Sequence, residues 1–82
     1  MFCAFKAQLD YDLMAKNLGF ERTGARSHGQ PVYRRGNEYI SPDVDRHNGG
    51  IWKKATGDAT NLRNKTTRDG TFNEDLTEMV GP

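Results

Sequence analysis

A single cysteine, Cys3, is all the thiol chemistry in the chain, which excludes an internal disulfide framework and a cysteine-based zinc site. Long apolar runs are missing as well. No stretch of the 82 residues approaches the length of a membrane span. Met1 to Ala7 has neither the basic start nor the extended apolar centre of a signal peptide. An exported protein would carry its signal elsewhere, and Met1 would then open a fragment of something longer. Apolar residues are scarce, at 34% against 28% charged, so the eight aromatic side chains must supply most of a thin core. A chain of this length buries about 60 to 65% of its unfolded surface. That is too little to enclose a large pocket, and the functional surface is expected to be an exposed groove on one small domain spanning 1–82.

Charge is present in abundance but unevenly. The segment from Arg22 to Arg68 holds ten basic residues against four acidic ones, a net +6, while residues 1–21 carry -1 and residues 69–82 carry -4. A basic middle with acidic flanks suits a phosphate-bearing partner, although lysines and arginines on strands also serve solubility.

Leu9, Tyr11, Leu13, Met14, Ala15 and Leu18 recur at helical spacing, with Gly19 placed as a left-handed stop, which predicts a helix over 10–18. Beyond Pro31 the pattern changes to short β-type runs, 31–34, 38–41 and 51–55, the first two joined by a Gly36-Asn37 turn. Residues 54–65 are polar and read as a second hairpin or a mobile loop. Gly70 to Phe72 reads as a last strand, followed by a turn of helix or an irregular tail packed through Phe72, Leu76 and Met79. The expected fold is α+β, an N-terminal helix on a small twisted antiparallel sheet.

The densest chemistry lies between Ser41 and Lys53. Within these thirteen positions are Asp43, Asp45, His47, the pair Gly49-Gly50 and a terminal lysine, and Pro42 and the glycines bracket them as a rigid loop opening into a strand. Such a loop presents side chains for binding or catalysis.

The runs Gly29 to Tyr33, Gly36 to Asp45, His47 to Lys53 and Arg68 to Phe72 resemble novel toxin 21, a ribonuclease domain family of bacterial polymorphic toxins. The resemblance extends over about Leu18 to Leu76. It rests on the spacing Ser41, Asp43, His47, on a lysine matched by Lys53, and on an Arg-x-Gly-Thr motif met by Arg68, Gly70 and Thr71. A further Arg-x-x-Asp element near the C-terminus is missing, with Glu78 in place of the arginine. The resemblance implies an α+β ribonuclease fold similar to other small bacterial RNase toxins, at the C-terminal tip of a large secreted effector of the contact-dependent growth inhibition type. It further implies action in the cytoplasm of a target bacterium, RNA of the tRNA class as substrate, and a cognate immunity protein in the producer. A translation elongation factor presents the substrate to some toxins of this kind.

Metal-free RNA cleavage needs a group to take the 2′-hydroxyl proton, one to protonate the leaving 5′-oxygen, and cations around the phosphate. His47, with an ordinary pKa of about 6.5, exists in both forms near neutrality, and Asp43 or Asp45 can orient its ring. Lys53 offers a point charge, Arg68 a bidentate fork and Thr71 a neighbouring hydroxyl, while Gly70 would admit a phosphate close to the backbone. Arg46 and Lys54 are further candidates for substrate contact. Ser41 contributes either a hydroxyl to the site or a bond to its own turn, and Asp45 either a site carboxylate or a turn cap. Trp52 is either a stacking platform for a base or core; Tyr33 and Tyr39 are expected as a packed cross-strand pair, and His28 as a loop residue. No cofactor is required. Two rivals remain. Asp43, Asp45 and His47 alternate so as to offer ligands to one divalent ion, and the basic middle alone would serve a non-catalytic RNA-binding module.

Overall fold

A computed structural model describes residues 10–44 and 49–82. The helix α1 spans Tyr11–Asn17, one residue inside the expected bounds at each end, because Asp10 and Leu18 serve as its caps. The Asp10 carboxylate accepts the Leu13 N–H at 3.1 Å. At the other end Gly19, with φ of 88°, reverses the chain so that the Phe20 N–H returns to the Ala15 carbonyl at 2.9 Å. Ala15 and Phe20 then meet in the core.

Among the described residues six strands follow: β1 (Glu21–Ser27), β2 (Gln30–Arg35), β3 (Glu38–Pro42), β4 (Trp52–Thr56), β5 (Gly70–Phe72) and β6 (Met79–Gly81). They form one sheet in the order of the sequence, each antiparallel to the next. A 3₁₀ helix, Ala59–Arg63, sits between β4 and β5 where the sequence suggested a hairpin or mobile loop. Its entry is capped by Asp58, whose carboxylate accepts the Thr60 N–H at 2.9 Å. The fold is α+β, as expected.

Alternation along the strands sends side chains to two faces, and each has its own core. On one face α1 covers Phe20, Tyr33, Ile40 and Trp52. The rings of Tyr11 and Tyr33 meet Trp52 edge-on at 5.6 and 5.8 Å. On the other face the 3₁₀ helix supplies Leu62 to Val32 and Ala55, with Tyr39 and Ala59 alongside.

Several expectations are corrected here. Tyr33 and Tyr39 are not a cross-strand pair: the turn sets Arg35 opposite Glu38, so Tyr33 faces Ile40 and Tyr39 faces Arg34, and the two rings enter different cores. Strand β1 was not anticipated. Residues 74–78 form the irregular tail that was one of the two expectations, with Leu76 packed on the core, but Met79 is 57% exposed and opens β6, where it lies against Gly70. Leu13, placed on the apolar stripe by its spacing, is 53% exposed. Leu9 lies outside the described residues.

Candidate functional site

Register assembles a row that no stretch of sequence contains. Ser41 in β3 faces Lys53 in β4, and Lys53 faces Thr71 in β5. Directly opposed residues share a face, so these three side chains stand abreast on the side of the sheet that carries the 3₁₀ helix. The three differ in how they are engaged. Ser41 is buried and its hydroxyl donates to the Pro31 carbonyl at 3.0 Å. This is the structural alternative for that residue, with the bond reaching across to β2 and not to its own turn. Lys53 is half-buried and makes no hydrogen bond or ion pair among the described residues.

Thr71 and Arg68 converge. The Thr71 hydroxyl donates to the Pro82 carbonyl oxygen at 3.0 Å, and Arg68 Nη2 donates to the same oxygen at 3.2 Å. A second terminal nitrogen, Nη1, reaches the Leu62 carbonyl at 3.5 Å, which ties the guanidinium to the 3₁₀ helix. Arg68 Nε is buried without a partner among the described residues, as is Ser27 Oγ at the end of β1. One acceptor oxygen thus receives a hydroxyl and a guanidinium donor, with an ammonium unpaired among the described residues on the adjacent strand.

The loop between β3 and β4 is closed at its base beside this row. The Asp43 N–H donates to the Ile51 carbonyl at 2.7 Å, and the Ile51 N–H donates to the Phe72 carbonyl at 2.8 Å. Gly50 lies so close to β5 that a Cβ there would stand 2.5 Å from Thr71 Cγ2 and 2.9 Å from the Phe72 carbonyl oxygen. Its lack of a side chain is a packing requirement, beyond the bracketing of a rigid loop that the sequence suggested. The same holds for Gly70: a Cβ there would meet Met79 Sδ at 2.5 Å and the Gly81 carbonyl at 2.8 Å, so this glycine makes room for β6 and not for a phosphate. Asp43 is 6% exposed at the mouth of the loop. Asp45, Arg46 and His47 lie outside the described residues.

Lys54 and Trp52 are engaged elsewhere. Both point to the opposite face from Lys53, the one covered by α1. Trp52 is fully buried and donates its indole N–H to the Glu74 carbonyl at 3.0 Å, leaving no ring face for a base. The Lys54 ammonium contacts Asp69 at 2.8 Å and Glu38 at 3.9 Å, and lies 5.5 Å from the centre of the Phe72 ring. Burial works against the charge on Asp69, but hydrogen bonds from Lys54 and Thr56 outweigh it and hold this carboxyl below its ordinary pKa of 3.8. Lys54 is therefore neutralised by structural partners.

Elsewhere the Tyr33 hydroxyl donates to Asp12 at 2.5 Å, and this bond, against some desolvation and with help from Arg22, lowers the Asp12 pKa. Burial, and then the hydrogen bond to Asp12, push the Tyr33 hydroxyl above its usual range. His28 sits in the β1–β2 turn with φ of 51°, its Nε2 3.2 Å from the Arg63 carbonyl, and so ties the turn to the 3₁₀ helix. Among the described residues no three histidine, cysteine or carboxylate side chains are grouped to hold a metal ion.

Comparison with known proteins adds three findings. The sequence model of the family described as novel toxin 21 matches residues 13–81. The protein named 16S rRNA endonuclease CdiA, from Enterobacter cloacae subsp. cloacae, is 37% identical over 71 residues, covering 79% of this chain and 2% of its own length. The chain thus corresponds to a very small part of that relative. No solved structure matches it.

Proposed function

The chain belongs to the novel toxin 21 family, and from that premise we propose that it is an antibacterial nuclease toxin that cleaves RNA internally without a metal ion. A ribose 2′-oxygen attacks the adjacent phosphorus as the P–O5′ bond breaks, leaving a 2′,3′-cyclic phosphate and a 5′-hydroxyl. His47 handles the proton that the 2′-hydroxyl loses and the 5′-oxygen gains, and Asp43 orients the loop that carries it. Lys53, Arg68 and Thr71 hold the charge that builds on the phosphoryl oxygens, the position of one such oxygen being that now taken by the Pro82 carbonyl. Asp45 and Arg46, on the same loop, contact substrate.

The observation that carries this reading is the meeting of two donors from Arg68 and Thr71 at one oxygen, beside a lysine with no partner among the described residues. A fold that needed these groups only for stability would pair the ammonium, as it does one residue further on at Lys54.

For the substrate, tRNA is what the family resemblance implies, whereas the relative's name points to 16S rRNA. The second is the stronger guide, because it comes with 37% identity through most of this chain. As part of a larger secreted effector the domain would act in the cytoplasm of a target bacterium. Its producer would hold an immunity protein, for which an acidic surface is the match to the basic middle of this chain. An elongation factor as substrate presenter belongs with the tRNA reading.

Purified domain incubated with intact ribosomes and with total tRNA, in excess chelator, decides these points. Discrete fragments with cyclic phosphate ends are expected, and their sequence identifies the RNA. Activity that collapses in chelator and returns with magnesium would establish the metal-dependent alternative through Asp43, Asp45 and His47. Retention of RNA without cleavage would establish a binding module.

A further inference from the structure

A cleft lies away from the row of Ser41, Lys53 and Thr71. It has a volume of about 430 Å3 and is walled chiefly by Glu21, Arg22, Arg34 and Arg35, where β1 begins and β2 ends. A neighbouring cleft of about 390 Å3 shares Glu21 and Arg22 with it and continues to Lys16 and Tyr33.

The three guanidinium groups are not equivalent. Arg35 is a strut: Nε and Nη2 donate to Glu38 at 3.0 and 2.6 Å, Nη1 donates to the Leu18 carbonyl at 2.7 Å, and the group lies 4.4 Å above the Phe20 ring. Arg22 is held by Asp12 at 3.2 Å. Arg34 alone has no carboxylate partner among the described residues. Its Nε donates to the Gly36 carbonyl at 2.8 Å, which fixes the plane of the fork and leaves both terminal nitrogens unengaged. Glu21, directly opposite in β1, makes no ion pair with it.

Register also relates this arginine to the candidate site. Arg34 faces Tyr39, two residues before Ser41 on β3, so it rises from the same face as Lys53 and Thr71. It is two strands and two residues from Lys53, roughly 12 Å between backbones. Its Nε is held at Gly36, further along the hairpin from the row, which places the fork for a neighbouring phosphate and not for the scissile one.

We propose that Arg34 is a second RNA-binding site that grips a backbone phosphate flanking the cleaved bond. The proposal rests on the ribonuclease reading above, and it assigns a purpose to a cleft which that reading leaves unused. A pre-oriented, unpaired fork in a polar cleft suits phosphate geometry, and backbone contacts of this kind position the nucleic acid without selecting sequence.

The test compares two substrates and one binding measurement. Arg34→Ala is expected to lower kcat/KM about tenfold on a structured RNA fragment, through KM, and to leave cleavage of a dinucleotide unchanged, since a dinucleotide has one phosphodiester and cannot occupy both places. Arg34→Lys, which keeps the charge and loses the fork, should fall between. Binding of a labelled RNA hairpin, followed by anisotropy against salt, should lose about one unit of slope in Arg34→Ala. Equal losses on both substrates, or an unchanged salt slope with full activity on the long RNA, would overturn the proposal. Failure of the unsubstituted protein to cleave either substrate would instead overturn the ribonuclease reading, while the binding slope would still decide the role of Arg34.

Discussion

Lys53 and Lys54 are consecutive residues of one strand with opposite circumstances. Lys54 points to the α1 side, where Asp69, Glu38 and the Phe72 ring surround its ammonium. Lys53 points to the 3₁₀ side, between Ser41 and Thr71, with no counter-charge among the described residues. A half-buried ammonium is costly to leave unpaired, and a fold selected only for stability has no reason to keep one. The contrast separates a lysine that holds the sheet together from one held ready for a partner outside the chain.

The largest effect should come from Lys53→Ala. Loss of one donor to developing phosphoryl charge typically reduces rate by about 10² to 10³, while unfolding free energy should move by less than about 0.5 kcal/mol. Single-turnover cleavage and thermal unfolding of the same preparation measure both. If the variant loses stability and not rate, Lys53 is structural after all. Next is Gly50→Ala, which drives a methyl into Thr71 and the Phe72 carbonyl. Overpacking of this kind costs about 1 to 3 kcal/mol, and because the clash falls on Thr71 the rate should fall with it.

Lys54→Met should show the reverse pattern to Lys53→Ala, with a stability loss of about 1 kcal/mol from the Asp69 carboxylate left with Thr56 alone and an unchanged rate per folded molecule. The smallest effect is a matter of pH. The folded pKa of Asp69 is depressed, so its ionisation contributes stability that is present above 3.8, the ordinary value, and is lost as pH falls through the lower folded value. Denaturation of wild type and Lys54→Met should therefore differ at neutral pH and converge below pH 3.8. A gap that persists in acid would mean that Lys54 acts by packing on Phe72 and not by charge.

Much of the fold was legible in residues whose effect is local. Asp10 and Gly19 bound the helix, and Gly36-Asn37 closes a hairpin whose strands lie within a residue of expectation. Strand β1 was hidden because it is an edge strand with six of its seven residues exposed or half-exposed, so it carries no apolar alternation. Strand β6 has three residues and none is buried. Its presence is implied only by Gly70, which needs a close neighbour. The two-residue turn did contain the information that Tyr33 faces Ile40, since Arg35 and Glu38 must then be opposite. The expectation of a tyrosine pair overlooked that parity. The candidate site was legible as a set of residue types but not as an arrangement. The separation of Lys53 from Lys54 follows from alternation along the strand expected at 51–55, but the alignment of Ser41, Lys53 and Thr71 does not, because cross-strand register is set by contacts remote in sequence.

A double-mutant cycle between Lys53→Ala and Thr71→Val, read as single-turnover cleavage of the identified RNA, tests most directly whether these groups serve one phosphodiester. Residues acting as a unit at one transition state lose function non-additively. The double variant should be little slower than the slower single variant. Losses that multiply independently would contradict a shared site.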